Sequence, residues 1–186
     1  MMPMMPMMPM ITTMQTLWDL LTPSKPKRRR ASKPAPASRP SRPRPTAAQR
    51  RYDEITRDML GRYNLRVRKW RTSMSGCAWE VRYETGRVSK LIEAPKPKGP
   101  MSMAVFLHEV GHHAIGLGAY KPRCLEEYHA WAWSLATMES LGLNVTDRVR
   151  RRMHDALRYA VHKSRRRGIK SIPPELAAFD IPYPRR

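Results

Sequence analysis

The sequence has only two cysteines, Cys77 and Cys124, among its 186 residues. This is too few for a disulfide framework, which excludes a small secreted domain held together by disulfide bonds. We expect both thiols to be buried and reduced, as in a cytoplasmic protein. No uninterrupted apolar run is long enough to cross a membrane, so no transmembrane segment is predicted. No signal peptide is predicted either, because the basic cluster at residues 27–30 follows the uncharged residues 1–18 instead of preceding them.

Acidic residues are also scarce. The chain has 15 Asp and Glu against 36 Lys and Arg, which gives a net charge of +21. Residues 1–51 carry 11 basic residues and one Asp, and the remainder carries 25 basic and 14 acidic residues, so the excess is shared by both parts. Such a charge favours polyanions as partners, with general solubility and nonspecific adhesion as the alternative. We expect nonspecific nucleic-acid contact through the basic N-terminal tail and a basic C-terminal helix.

Composition divides the chain into three parts. Residues 1–10 repeat Met and Pro, and residues 23–46 are dominated by Pro, Ser, Ala, Lys and Arg without any acid. Such segments cannot bury enough apolar surface to offset the entropy lost on ordering. We therefore predict a disordered, low-complexity N-terminal tail over residues 1–46, one folded domain over residues 47–170, and a C-terminal tail over residues 171–186.

Hydrophobic periodicity within the domain predicts a mixture of helices and short strands. Helical spacing runs from Ala47 to about Tyr63, and a helix rich in Lys and Arg is expected from Thr146 to about Arg167. Three short runs typical of strands lie between the first helix and a Pro-rich break at residues 94–100, after which Ser102 is the expected N-cap of the next helix. The strands are predicted at Leu65–Trp70, Ala78–Tyr83 and Val88–Ile92, with a hairpin turn at Thr85-Gly86. The fold class is therefore α+β.

The strongest chemical signal is His-Glu-x-x-His, which begins at His108 inside an apolar run. Two histidines four residues apart leave the same face of a helix about one turn apart, so His108 and His112 suit two corners of a tetrahedral zinc site. Glu109 follows the first histidine directly, so its carboxylate lies beside the metal. There it can act as a general base towards a zinc-bound water.

A zinc site of this kind needs a third ligand, and the following helix supplies three candidates. The loop from Gly116 to Pro122 is short, which makes the two helices neighbours. Glu127 heads a mostly apolar helical stripe, where a carboxylate needs a partner such as a metal ion. Glu126 heads a more polar stripe, and His129 lies one turn further on. We predict Glu127, with His129 and Glu126 as alternatives.

These residues resemble the motifs of the compact ImmA/IrrE-type metallopeptidases and related gluzincins. In that family HExxH is followed by a Glu, an Ala three residues on and an aromatic residue three further, which here are Glu127, Ala130 and Trp133. The resemblance implies a minimal zincin-like domain with a small β-sheet or hairpin, the HExxH helix, a ligand helix and the basic C-terminal helix. It also implies a zinc metallopeptidase with ligands His108, His112 and Glu127 and with Glu109 as general base, acting on a protein or peptide substrate. The gap between His112 and Glu127 is short for that family.

Two other functions are compatible with the same residues. A SprT-like, DNA-associated metalloprotease would use His129 as the third ligand. A non-catalytic, basic nucleic-acid-associated protein would use a closed structural zinc site, which would have to include Cys124. In the peptidase interpretation, candidates for stabilising the oxyanion are Tyr128, His113 and His154, and we expect a strand at the edge of the sheet to pair with the extended peptide.

Overall fold

The computed structural model describes residues 44–181, so the expected N-terminal tail lies outside the described residues apart from its last three positions. The fold is α+β, as predicted. Its elements in chain order are helix α1 (Ala47–Arg62), strands β1 (Leu65–Arg71), β2 (Cys77–Arg82) and β3 (Val88–Pro95), helices α2 (Pro100–Ala114), α3 (Arg123–Ser140) and α4 (Asp147–Arg166), and a 3₁₀ helix (Pro174–Phe179). None of these helices is long and apolar enough to cross a membrane.

The three strands form one sheet in the order β1-β3-β2. β2 and β3 are antiparallel and are joined by the predicted turn, where Gly86 takes a positive φ of 79°. β1 pairs with β3 in parallel and contains an irregularity between Val67 and Lys69. Ile92 and Ala94 of the central strand β3 are fully buried. Since β2 pairs only with β3 among the described residues, its other edge is available for pairing.

Helix α2 is buried on all sides. Every residue from Ser102 to His113 is buried, which fits a helix that is apolar around most of its circumference and packs against both β3 and α3. The prediction that Ser102 is the N-cap was wrong: Gly99 caps the helix and Pro100 is its first residue. Pro is favoured there because its missing N–H would have no partner in the first turn. The Ser102 hydroxyl instead accepts hydrogen bonds from the Lys98 and Gly99 N–H groups.

Helix α4 packs along α3 through the buried side chains of Val149, Leu157 and Val161. Its first turn is capped by Thr146, whose hydroxyl accepts the Val149 N–H at 3.3 Å. The 3₁₀ helix lies in the segment expected to be a C-terminal tail, and its Leu176 is fully buried. It contacts α3 and α4, so ordered packing continues beyond residue 170.

Candidate metal centre

The structure brings His108, His112 and Glu127 together between α2 and α3. The Glu127 Oε2 atom lies 3.3 Å from His108 Nε2 and 3.7 Å from His112 Nε2. One potential ligand atom from each of the three residues lies within 4.8 Å of the other two. This group can therefore hold a metal ion, and it is the set of residues that the sequence predicts as ligands.

A close contact between α2 and α3 places Glu127 opposite the two histidines. A Cβ atom on Gly111 would lie 2.9 Å from the Ala130 carbonyl oxygen, which is closer than real Cβ atoms come. Glycine at this position thus lets the two helix backbones approach one another. The loop between the helices is tight as well, with positive φ angles at Gly116 and Gly118.

Glu126 does not belong to the metal-binding group, although the sequence offers it as an alternative ligand. Its side chain is 1% exposed and turns to the far side of His112, where Oε1 lies 2.9 Å from His112 Nδ1. Its Oε2 accepts the Gly118 N–H at 3.0 Å, and Arg123 Nη1 lies 3.1 Å from Oε1. The carboxylate fixes the orientation of the His112 ring, so that Nε2 faces Glu127.

His108 is held by stacking. Its ring lies 4.4 Å from the ring of Trp131 at an angle of 25°, and its Nδ1 atom has no hydrogen-bond partner among residues 44–181. Burial lowers the pKa of His108, so the ring is neutral at physiological pH. A neutral imidazole is the form that binds a metal ion.

Glu127 is held in its ionised form. Burial alone would raise the pKa of this carboxyl group, but its close contacts with the His108 and His112 rings outweigh the effect of burial. The net result is a pKa well below the usual range. The Arg123 Nε atom donates a further hydrogen bond to Glu127 Oε1 at 3.1 Å. An ionised carboxylate beside two imidazoles has the chemistry of a zinc or similar transition-metal site.

Glu109 is buried next to this group, beneath the loop that joins β1 and β2. A Cβ atom on Gly76 would lie 2.5 Å from both Cγ and Oε1 of Glu109, so only glycine leaves room for the carboxyl group. Burial raises its pKa from 4.5 to about 8. A carboxyl group poised near neutral pH is suited to proton transfer.

All four residues open into one cleft of about 710 Å³. Its lining includes Ser75, Gly76, Cys77 and Ala78, from the loop before β2 and its first residues, and a face of α4. The sequence suggested one residue of α4, His154, for the site, but not the face of α4 that lines the cleft. The signal was present in the spacing of Arg152, Tyr159 and Lys163, which share one helical face, but their distance from the motif in the chain hid the connection.

None of the three residues predicted to stabilise an oxyanion lies among the residues that line this cleft. The His113 Nε2 atom is 3.2 Å from the Leu91 carbonyl oxygen, and the His154 ring packs on Phe179. The Tyr128 ring contacts His129. The structure therefore brings none of these three candidates to the lining of the cleft.

The alternative ligands lie elsewhere. The His129 ring stacks on Tyr120 with ring centres 4.0 Å apart and is outside the metal-binding group. Both cysteines are free thiols, as predicted, but only Cys124 is buried, while Cys77 is half-buried near Arg71. Both line the cleft, and neither belongs to the group. Among residues 44–181 no fourth protein ligand closes the site.

No protein-family model matches the chain, and no match is found to a curated protein or to a solved structure. Function must therefore be inferred from the side chains of the cleft.

Proposed function

We propose that the protein is a zinc metallopeptidase in which His108, His112 and Glu127 hold the metal ion and Glu109 is the general base. One observation carries this proposal: three ligand atoms converge beside a buried carboxyl group inside a cleft. Two imidazoles and one carboxylate form an open donor set typical of catalytic zinc sites, whereas structural sites have four protein ligands and commonly include cysteine. The two free thiols favour a reducing compartment such as the cytoplasm.

The protonation and orientation of these three side chains suit a zinc ion. His108 is neutral, Glu127 is ionised, and Glu126 orients the His112 ring from behind. When bound, zinc would polarise a water molecule and the substrate carbonyl and would lower the pKa of that water towards neutrality.

The protein's own residues would handle the protons and the substrate. Glu109, in its ionised form, would take a proton from the attacking water and deliver it to the departing amine. The peptide would lie in the cleft along β2, whose first residues Cys77 and Ala78 line it. The unpaired edge of β2 would bind the peptide backbone as an added strand.

The test is Glu109→Gln. We expect this variant to keep about one zinc per chain, measured by mass spectrometry, and to lose peptide hydrolysis by roughly 10²-fold or more, because general-base catalysis contributes 10²–10⁴. The matched control is Glu139→Gln on the exposed side of α3, where the glutamate pairs with Arg150. Full activity in Glu109→Gln, or absence of bound metal in the wild type, would refute the proposal.

A further inference from the structure

Helix α4 presents a stripe of basic residues to the cleft. The residues of α4 and its C-cap that line it recur at helical spacing: Arg152, Asp155, Ala156, Tyr159, Ala160, Lys163, Ser164 and Arg167. Three of them are basic and only Asp155 is acidic. Lys163 and Arg167 are exposed to solvent within this wall. We call this stripe the basic wall.

The charges of the basic wall are not neutralised by the protein. Other arginines of α4 form ion pairs, Arg150 with Glu139 and Arg165 with Asp180. Between residues 44 and 181, no ion pair is found for Lys163 or Arg167. Arg152 donates to a backbone carbonyl, that of Met74, at 3.1 Å. The Lys163 Nζ atom lies over the Tyr159 ring, 5.9 Å from its centroid, and this contact leaves its positive charge in place. Cations that line a concave site without acidic partners concentrate anionic ligands there.

The acids of α2 and α3 near the cleft do not cancel this field. Glu127 is already surrounded by two histidines and Arg123, and Glu126 is buried against the same arginine. Any metal ion in the site would add further positive charge.

The spacing of the basic wall matches an extended peptide. Lys163 and Arg167 are four residues apart on a helix, which corresponds to a rise of about 6 Å. Alternate side chains of a β-strand point the same way and are about 6.6 Å apart. Two acidic side chains at alternate positions of a bound strand would therefore reach both cations. The exposed Tyr159 ring between Lys163 and Ala156 offers an apolar contact for the intervening atoms.

We propose that the cleft selects peptide segments with two acidic side chains at alternate positions and that Lys163 and Arg167 are the residues that recognise them. This inference rests on the proposed peptidase function. A peptide is favoured over a nucleic acid because a cleft of about 710 Å³ has the size of a pocket that encloses a compact ligand, whereas nucleic-acid interfaces spread over about 1,000 Å² or more.

Decapeptide pools test the inference directly. They are randomised except at two alternate positions, which are fixed as Glu, as Gln or as Lys. With the zinc-loaded full chain we expect kcat/KM to be about tenfold higher for the Glu pool than for the Gln pool, and the Lys pool to be the poorest. The preference should weaken at 1 M salt, because the cations are exposed. Binding of the same pools to Glu109→Gln, measured by fluorescence anisotropy, should show the same order without any turnover.

Charge reversal provides the matched control. Lys163→Glu combined with Arg167→Glu should abolish the preference for the Glu pool and raise that for the Lys pool. Arg166→Glu combined with Lys170→Glu makes the same change in net charge. These two residues are also four apart in the sequence, but they are exposed and do not line the cleft. This control should keep the wild-type order. An equal loss in both double variants would overturn the inference, because it would show an effect of overall charge alone.

The remaining outcomes separate this inference from the peptidase proposal. Hydrolysis of all three pools at equal rates would overturn the charge selection and leave the peptidase function standing. Binding of the Glu pool through Lys163 and Arg167 without hydrolysis would refute the peptidase and support the binding site. If a single-stranded oligonucleotide binds through these two residues while the pools bind without preference, the cleft is a nucleic-acid site and the inference is wrong.

Discussion

Removal of the Glu126 carboxylate should weaken metal binding even though this residue does not face the metal position. Its Oε1 atom lies 2.9 Å from His112 Nδ1 and 3.1 Å from Arg123 Nη1. Its Oε2 atom accepts the Gly118 N–H at 3.0 Å. Glu126→Ala removes all three contacts. Glu126→Gln keeps the shape of the side chain, but its NH₂ group then faces a donor, so either the His112 or the Gly118 bond is lost.

The size of the effect follows from the geometry. Loss of the group that orients a metal-binding histidine costs about 10–100-fold in metal affinity, which corresponds to about 1.4–2.7 kcal/mol. In Glu126→Ala the Gly118 N–H also loses its acceptor, and because Gly118 is exposed and water can replace that acceptor, this adds only about 0.5–1.5 kcal/mol of destabilisation. We therefore expect Glu126→Gln to lie between the wild type and Glu126→Ala in both zinc affinity and free energy of unfolding.

Zinc affinity can be measured by competition with a chromogenic chelator, and stability by urea unfolding of the metal-free protein. Two variants of the same helix give the lower and upper limits of zinc affinity for comparison. Glu127→Gln should lose nearly all zinc binding, because it removes a proposed ligand. Glu139→Gln should match the wild type, since Glu139 is exposed.

Two results would refute this account of Glu126. Unchanged zinc affinity in both Glu126 variants, with circular dichroism showing an intact fold, would mean that His112 needs no support from this carboxylate. A loss in Glu126→Gln as complete as in Glu127→Gln would mean that Glu126 is itself a ligand when the metal is bound.

Two further predictions concern Glu109. Gly76→Ala should keep zinc but lower kcat at least tenfold, because the new methyl group would displace the Glu109 side chain. The control is Gly61→Ala, which should leave activity unchanged because no atom lies within 4 Å of the added methyl group. Equal activity in both variants would show that the position of Glu109 is not critical. In the metal-free protein the folded-state pKa of Glu109 is raised by burial from 4.5 to about 8, so between these pH values the folded state holds a proton that the unfolded state has released. The free energy of unfolding should therefore fall as pH rises through this window, by at most about 5 kcal/mol from this group. Urea unfolding of Glu109→Gln at a series of pH values should show a smaller fall, and identical pH profiles would contradict the prediction.

The sequence was most informative where the relevant geometry is local. Two histidines four apart on one helix share a face in any fold, and Thr85-Gly86 specifies its turn without help from distant residues. The convergence of Glu127 on His108 depends on how closely two helices pack, and that distance is set by the missing side chain of Gly111.

The parts of the site that depend on long-range packing were not predicted. Glu126 and Glu127 are adjacent in sequence, and which one faces the histidines depends on the rotation of α3 against α2. The apolar stripe behind Glu127 predicted this residue as the ligand, and the more polar stripe behind Glu126 suggested an exposed position. In the structure Glu126 is the more deeply buried of the two. The cleft wall formed by α4 comes from a segment well downstream of the motif, and no local pattern links the two.

The hydrogen bond from Arg152 to the Met74 carbonyl oxygen joins the two sides of the cleft across 78 residues of chain. It lies at an exposed position, where breaking one hydrogen bond costs about 1 kcal/mol. The Arg152 side chain can therefore leave this carbonyl group at little cost, while the packing of α4 against α3 and α2 holds the helix itself in place. A change at Arg152 would thus alter the polar contacts at the mouth of the cleft and leave the buried surroundings of Glu109 as they are.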